Sequence, residues 1–492
     1  MTQHLDWLAH RAATVPHALA LIAGDERLSY AALERRVQRA AAGFAEAGVR
    51  PGDRVAILSW NSTAFVEAIH AVPRLGATLV PLNARLSASE LAWQLRDADV
   101  RLLVAQDTLM PAAVEAAEQA AIAAPMALPL AGEAHLKGLT SHPGEAVHSI
   151  LYTSGTTGRP KGAMLTYSNF WASAVGSAFN LGALPNDRWL ACMPLFHVGG
   201  LSIVLRAAIY GSCVVLHEGF YEHAVVRDLR SGGVTIVSLV ATMLQRLLDA
   251  DDFQSPESLR VVLLGGGPVP LPLLHRAFAR GFPVVQTYGL TEAASQVATL
   301  APADAIAHAG SAGQPLLTTR LRVDASAGEP GEILVSGDTV TPGYFRRAEA
   351  TAAAIRDGWL HTGDIGRIDS EGFLYVLDRR DDLIVSGGEN VYPAEVEAAL
   401  LSHPGVAGCA VVGLPDTTWG QVVTAAVVPR GTVSEAALRE WLVGKIAAYK
   451  LPRRFVFLSE LPTTASGKVQ RHAVRDRLGS PPAANVEPPA PA

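Results

Sequence analysis

The chain has 492 residues, of which 49% are hydrophobic and 17% charged. That is enough apolar material for a large core, and it excludes a chain disordered throughout. Its 40 Lys and Arg against 46 Asp and Glu leave a formal charge of −6, which makes nucleic acid a poor nonspecific partner.

Length alone suggests about three domain-sized units, or equally one large compound domain plus a small one. At the start, Leu5, Leu8, Ala9 and Ala12 recur at helical spacing. No basic stretch precedes an apolar run there, so no signal peptide is expected. A turn at Gly24-Asp25 leads to a short strand, followed by a helix over about 30–47 and a strand over 54–58. Helices near 63–75 and 88–97 alternate with strands at 78–80 and 100–105, which predicts an α/β fold with largely parallel sheets. The longest uncharged run, Gly162 to Asn186, is interrupted by Ser, Thr and Asn. It reads as a buried helix and not as a membrane span, which needs about 20 strongly apolar residues. From about 310 to 378, strands such as 332–335 and 373–376 sit between Gly-rich turns and predict a β-rich subdomain. Beyond Arg379-Arg380-Asp381-Asp382 the pattern becomes compact α+β, with helices near 393–402 and 434–447 and strands near 406–412 and 422–428. The Pro/Ala-rich end, 479–492, reads as a disordered tail. Cys192, Cys213 and Cys409 lie far apart with no CxxC pair or Cys/His cluster. They read as packing residues in a reducing, cytoplasmic setting, with no zinc site and no disulfide framework.

The sharpest local feature is Tyr152-Thr153-Ser154-Gly155-Thr156-Thr157-Gly158-Arg159-Pro160-Lys161-Gly162, which follows an apolar strand-like stretch from Val147. Glycines and small hydroxyl residues let backbone N–H groups converge on an anion, and Lys161 adds a point charge. This is phosphate-binding chemistry. It is not a Walker A loop, because Pro160-Lys161-Gly162 stands where Gly-Lys-Ser/Thr belongs.

Five more segments follow in order: Pro194 to Gly200 (PLFHVGG), Gly265-Gly266-Gly267-Pro268, Thr287-Tyr288-Gly289-Leu290-Thr291-Glu292, Trp359 to Asp364 (WLHTGD) and Pro462 to Lys468 (PTTASGK). Together with the Gly/Thr/Lys loop they resemble the adenylate-forming superfamily of acyl-CoA synthetases, carrier-loading adenylation domains and beetle luciferases. The resemblance runs from about residue 5 to 475. It implies a large N-terminal domain (1–378) of two αβ layers plus a β-barrel, a hinge (379–382) turning about Asp381, and a small mobile α+β domain (383–478).

The resemblance also implies roles. Tyr288 would stack on adenine, with Gly265, Gly266, Gly267 and Pro268 beneath the base and Gln286, Thr287 and Gly289 around it. Thr153 and Thr291 would contact phosphate, and Glu292 would be the magnesium ligand, since hard divalent cations take carboxylates. Asp364 would accept both ribose hydroxyls, and Arg379 would reach the same ribose. Lys468 would stabilise charge developing on the phosphoryl oxygens. His197 would border the acid's carboxylate, and Gly387-Gly388 would flank the pantetheine of CoA. ATP, Mg2+, CoA and a small carboxylic acid are the implied ligands; homo-oligomerisation stays open.

Within the superfamily, the stretches Leu263 to Pro270, Gln286 to Gln296, Gly310 to Leu316 and Leu377 to Glu395 are similar to the branch that activates 2-succinylbenzoate in menaquinone biosynthesis. Asp378 stands where Gly is usual in the wider family, as it does in that branch. Ser295 and Gln296 are candidate pocket residues. The substrate's second carboxylate needs a donor, for which Arg85 and Arg206 are distant candidates. The alternatives are a CoA ligase for another aryl or short acyl acid, and an enzyme loading a carrier protein.

Overall fold

A computed structural model describes residues 2–133, 138–153, 160–231, 233–250, 254–267, 269–379, 382, 384–386, 389–416, 419–443, 445–446, 448–464 and 467–479. By its internal contacts the chain divides into a large unit, built from most of residues 1–376, and a small one made chiefly of 377–492. Residues 268–272 and 363–365 group with the small one.

The large unit holds two mainly parallel sheets, a smaller antiparallel one of five strands, and an antiparallel pair, Gln3–Leu5 with Ser141–Pro143. The first has six strands in the order Lys161–Thr166, Val147–Thr153, Thr78–Leu82, Arg54–Leu58, Leu102–Gln106, Met126–Leu128. The second has nine. Val284–Leu290, Val261–Leu264, Ile236–Leu239, Arg188–Ala191, Cys213–Leu216 and Leu19–Ala23 run parallel through its middle, and antiparallel strands close each edge. Such strands are buried on both faces and read as apolar runs; Val261, Val262, Leu263 and Leu264 are all buried. Helices connect them. Ser29, Ser62 and Ser87 cap the helices Tyr30–Glu46, Thr63–Arg74 and Ala88–Asp97 by accepting backbone N–H bonds, each worth about 1 kcal/mol. The antiparallel sheet spans Thr319–Asp324, Gly331–Gly337, Ile355–Arg356, Trp359–Ile368 and Leu374–Arg379.

One expectation fails. The uncharged run from Gly162 is not a single buried helix. It continues the strand Lys161–Thr166, and a helix, Tyr167–Leu181, begins only after it. The break lies at Thr166, whose side chain accepts the Asn169 N–H while the Asn169 side chain accepts the Thr166 N–H. That reciprocal cap starts a helix at a fixed point. The helix is also one-sided, with Trp171 and Phe179 exposed.

The N-terminal helix Trp7–Thr14 is locked to the core by a buried ion triad. Arg74 donates to both oxygens of Asp6 (2.8 Å each) and to Glu34 at 2.7 and 2.6 Å. His142 stacks on Tyr167 with centroids 4.2 Å apart, and His70 and His148 are buried beside this group. Burial pushes the pKa of His70 down to about 4 and that of His148 to about 3, so both are neutral at pH 7.

In the small unit a five-stranded sheet carries Val406–Asp416 against Gly420–Pro429, with Arg454–Phe457 parallel to the latter. Helices Pro393–Leu401, Glu435–Leu442 and Arg471–Gly479 accompany it. The helix expected to reach 447 stops at Leu442, two residues before Gly444, a poor helix residue.

Candidate active site

Strands Val147–Thr153 and Lys161–Thr166 pair antiparallel, with Lys161 opposite Thr153 and Gly162 opposite Tyr152. The Gly/Thr/Lys loop therefore joins two strands, whereas a Walker A loop opens a helix. Ser154, Gly155, Thr156, Thr157 and Gly158 lie outside the described residues; Thr153 and Lys161 are its described ends. Thr153 donates to Glu292 Oε1 at 3.3 Å, and the phenol of Tyr344 donates to the same oxygen at 2.9 Å. Lys161 Nζ stands 5.3 Å from the centre of the Tyr344 ring. A cation, a hydroxyl and an anchored carboxylate thus converge at the mouth of this loop. Glu292 Oε2 has no protein partner among the described residues, so the donor set suits a hard divalent cation that takes one carboxylate and keeps its waters.

Glu292 owes its place to a strained turn. Strand Val284–Leu290 runs into Thr291–Ala293 and returns as Ser295–Thr299. Ala294 and Ser295 have φ of 50° and 99°, rare for residues with a Cβ and costing on the order of 1–3 kcal/mol each. Gly289 lets the two strands close, because a Cβ there would lie 1.7 Å from the Ser295 carbonyl oxygen.

Gly265 and Gly266 follow the end of strand Val261–Leu264. Gly266 has φ of +84°, where glycine carries no penalty. Gly267 is exposed, and Pro268 lies outside the described residues. Tyr288 is buried, clustered with Ala293, Val297, Ala298 and Ile333. Gln286 Oε1 accepts the Gly310 N–H at 2.6 Å. The hydroxyl of Thr287 lies 2.8 Å from that of Thr299. These partners compete with the nucleotide contacts expected of Gln286 and Thr287.

His197 sits at the start of helix Val198–Tyr210. Asn61 shapes the turn before it, donating to the Met193 and His217 carbonyls at 3.0 Å each and accepting the Leu195 N–H at 2.8 Å. Gly200 has no alternative, since a Cβ would meet the Pro194 carbonyl oxygen at 2.2 Å. His197 Nε2 is buried with no hydrogen-bond partner. Burial, helped by the charge of Arg85, pushes its pKa down to about 4. Arg85 lies over the Trp60 ring at 5.6 Å.

Arg206, on the same helix, is buried at 2% exposure. Its Nη2 donates to Ser173 Oγ at 2.9 Å, and Ser173 donates to the Ala294 carbonyl at 2.7 Å. Its Nε has no partner, and no carboxylate among the described residues pairs with it. Gln296, also buried, leaves Oε1 unpartnered while its Nε2 donates to Thr299. The structure therefore brings Thr153, Lys161 and Glu292 together, and links Arg206 through Ser173 to the turn that carries Ser295.

Asp364 lies buried in strand Trp359–Ile368. In the small unit, Lys468 is exposed on a hairpin closed by the Thr464 N–H to Lys468 carbonyl bond at 2.6 Å. Gly467 there has φ of +83°. Asp381, Gly387, Gly388 and the side chain of Arg379 lie outside the described residues. Sequence reasoning missed Tyr344 and Asn61. The only signal for Tyr344 is a Gly-Tyr pair after a β-rich stretch, and Asn61 lies 134 positions from Leu195.

Two αβ layers and a β-rich subdomain, with a separate small C-terminal unit, define a nucleotide-dependent, adenylate-forming class of enzyme. The chain belongs to the AMP-binding enzyme family: that family's model matches residues 8–345, and the model of the AMP-binding enzyme C-terminal domain matches 395–468. Within the family it is similar to 2-succinylbenzoate–CoA ligases. One from Geobacillus sp. (strain WCH70) is 46% identical over 481 residues, covering 96% of this chain and 97% of the relative. The o-succinylbenzoate CoA synthetase of Bacillus subtilis in complex with its acyl-adenylate intermediate superposes with a TM-score of 0.89 at 41% identity, covering 98% and 99% of the two chains. The same synthetase with ATP and magnesium ion gives 0.90 at 41%, over 97% and 100%. MatB of Rhodopseudomonas palustris, bound to ATP, gives 0.88 at 28%, over 97% and 99%.

Proposed function

We propose that this protein is an AMP-forming acid–CoA ligase that converts 2-succinylbenzoate to 2-succinylbenzoyl-CoA, a step of menaquinone biosynthesis. The observation that carries the reading is the full-length similarity to 2-succinylbenzoate–CoA ligases, which extends through both units. In the first half-reaction a carboxylate oxygen of the acid bonds to the α-phosphorus of ATP and pyrophosphate leaves. No base is required, because a carboxylic acid of pKa about 4 is ionised at pH 7. In the second, the sulfur of CoA bonds to the acyl carbon and AMP leaves.

The chain's own residues do the holding. Lys161 and the loop 153–158 cradle phosphate; Thr291 contacts it. Glu292 is the magnesium ligand, and the bound ion neutralises phosphate charge in the first step. Tyr288 and Gly265–Pro268 flank the adenine. Asp364 and Arg379 hold the ribose. Lys468 adds positive charge where negative charge builds in the first half-reaction. Rotation about Asp381 then withdraws it and brings Gly387-Gly388 to the pantetheine of CoA.

His197 borders the reacting carboxylate as a neutral imidazole, since its pKa of about 4 leaves it unprotonated at pH 7. The acid's second carboxylate needs a cation. Arg206 is the buried one lacking a counter-ion among the described residues, and a buried cation without one is costly until an anion joins it. Ser295 and Gln296 are the further candidate pocket residues. A cytoplasmic setting fits the three free, buried cysteines. No helix among the described residues is long and apolar enough to cross a membrane.

The test is nucleotide analysis of purified protein with ATP, Mg2+, CoA and 2-succinylbenzoate. AMP and pyrophosphate are expected in equal amounts; ADP and phosphate would refute the mechanism.

A further inference from the structure

Tyr344 belongs to none of the six motifs, yet it is the closest side-chain partner of Glu292 among the described residues, at 2.9 Å. Its hydroxyl and that of Thr153 both fall on Oε1. A carboxylate pinned through one oxygen has the direction of the other set before any ligand arrives, which is preorganisation.

The phenol is itself fixed by its backbone. Residues 341–345 run against the strand Lys161–Thr166. Met164 donates its N–H to the Gly343 carbonyl at 3.0 Å, and Phe345 donates to the Gly162 carbonyl at 2.8 Å. The Tyr344 N–H reaches Thr351 Oγ1 at 2.9 Å. The same segment holds the backbone of Glu292, through the Thr341 N–H to Glu292 carbonyl bond at 2.7 Å. Gly343 makes this course available: its φ is +143°, and a Cβ would stand 2.4 Å from Thr351 Cγ2. One short segment therefore fixes both Glu292's main chain and its carboxylate.

We infer that Tyr344 is a positioning residue for the Glu292 carboxylate, turning Oε2 toward the divalent cation that accompanies ATP. The inference rests on the reading of Glu292 as the metal ligand. The aromatic ring has a separate contact with Lys161, so the hydroxyl can be removed without removing the ring.

The experiment compares wild type, Tyr344→Phe and Glu292→Gln by calorimetric titration with ATP, once in Mg2+ and once in EDTA, with melting temperatures alongside. Glu292→Gln should abolish the gain in ATP affinity that Mg2+ confers. Tyr344→Phe should cut that gain about three- to tenfold, the scale of one ordinary intramolecular hydrogen bond. It should leave ATP affinity in EDTA and the melting temperature unchanged. It should also raise the Mg2+ concentration needed for half-maximal acyl-AMP formation. If Glu292→Gln keeps the full Mg2+ gain, the reading of Glu292 fails and the inference falls with it. If Glu292→Gln loses the gain but Tyr344→Phe retains it, the inference about Tyr344 alone is overturned. Equal weakening by Tyr344→Phe in Mg2+ and in EDTA also overturns it, because a residue acting only as scaffold or through Lys161 gives that pattern.

Discussion

Replacing Arg206 with Met should separate substrate recognition from folding. The guanidinium is buried at 2% exposure; its Nη2 donates to Ser173, and its Nε has no partner among the described residues. An unsatisfied buried donor costs on the order of 1–3 kcal/mol, and exchanging an uncompensated buried charge for an apolar side chain of similar volume is neutral or stabilising. The variant's melting temperature should therefore hold or rise. Its handling of the acid should worsen. A charge-assisted hydrogen bond is worth about 1.5–3 kcal/mol, so kcat/KM for 2-succinylbenzoate should fall roughly ten- to 150-fold. Benzoylpropionate keeps the acyl chain and ketone but lacks the ring carboxylate. Wild type should use it poorly, and Arg206→Met should use it as well as wild type does. The assay is pyrophosphate release with each acid, beside a thermal melt. Should the melting temperature drop and both acids suffer equally, Arg206 is a strut that supports the Ala294 turn through Ser173, and the carboxylate assignment is wrong.

Lys468→Ala should slow acyl-AMP formation on the order of 10²-fold, the scale of deleting one preorganised electrostatic group, while sparing thioester formation from presynthesised acyl-AMP; equal losses in both steps would remove the basis for domain alternation. Asp364→Ala should weaken ATP binding by about 2–3 kcal/mol through loss of a charged acceptor, seen as a rise in the calorimetric Kd with an unchanged melt. The buried histidines make stability pH-dependent. His70 and His148 have folded pKa values near 4 and 3, below the ordinary 6.5, so the unfolded chain binds more protons as pH falls. Their contribution is complete above about pH 6.5 and is lost as pH falls toward 4 for His70 and toward 3 for His148, with His70 alone accounting for about 3 kcal/mol. Denaturant midpoints from pH 7.5 to 4.5 should fall accordingly, and His70→Gln should flatten the slope. His197, with a pKa near 4, should produce no titration in kcat/KM between pH 6 and 9.

Elements with a strong local pattern could be read from the sequence. Tyr30–Glu46, Arg54–Leu58 and Ala88–Asp97 lie within a residue or two of where periodicity and turn residues put them. The run from Gly162 misled because hydropathy averages over a strand and a helix, while the actual boundary is a side-chain cap between Thr166 and Asn169. In the site, motif residues marked the loop mouth but not its supports. Tyr344 meets Glu292 across 52 positions, and Asn61 meets Leu195 across 134; such bonds leave no local periodicity to detect. Gly200 and Gly289 were visible as glycines, but the carbonyl oxygens that exclude a Cβ there appear only once the chain is folded.

Above all, this chain should join 2-succinylbenzoate to CoA through an acyl-AMP. The most direct measurement is mass detection of acyl-CoA from a panel of aryl, aliphatic and dicarboxylic acids, each supplied with ATP, Mg2+ and CoA. 2-Succinylbenzoyl-CoA should form with the highest kcat/KM of the panel, and AMP should appear in step with it. A different acid strongly preferred, or acyl-AMP that accumulates without passing to CoA, would contradict it.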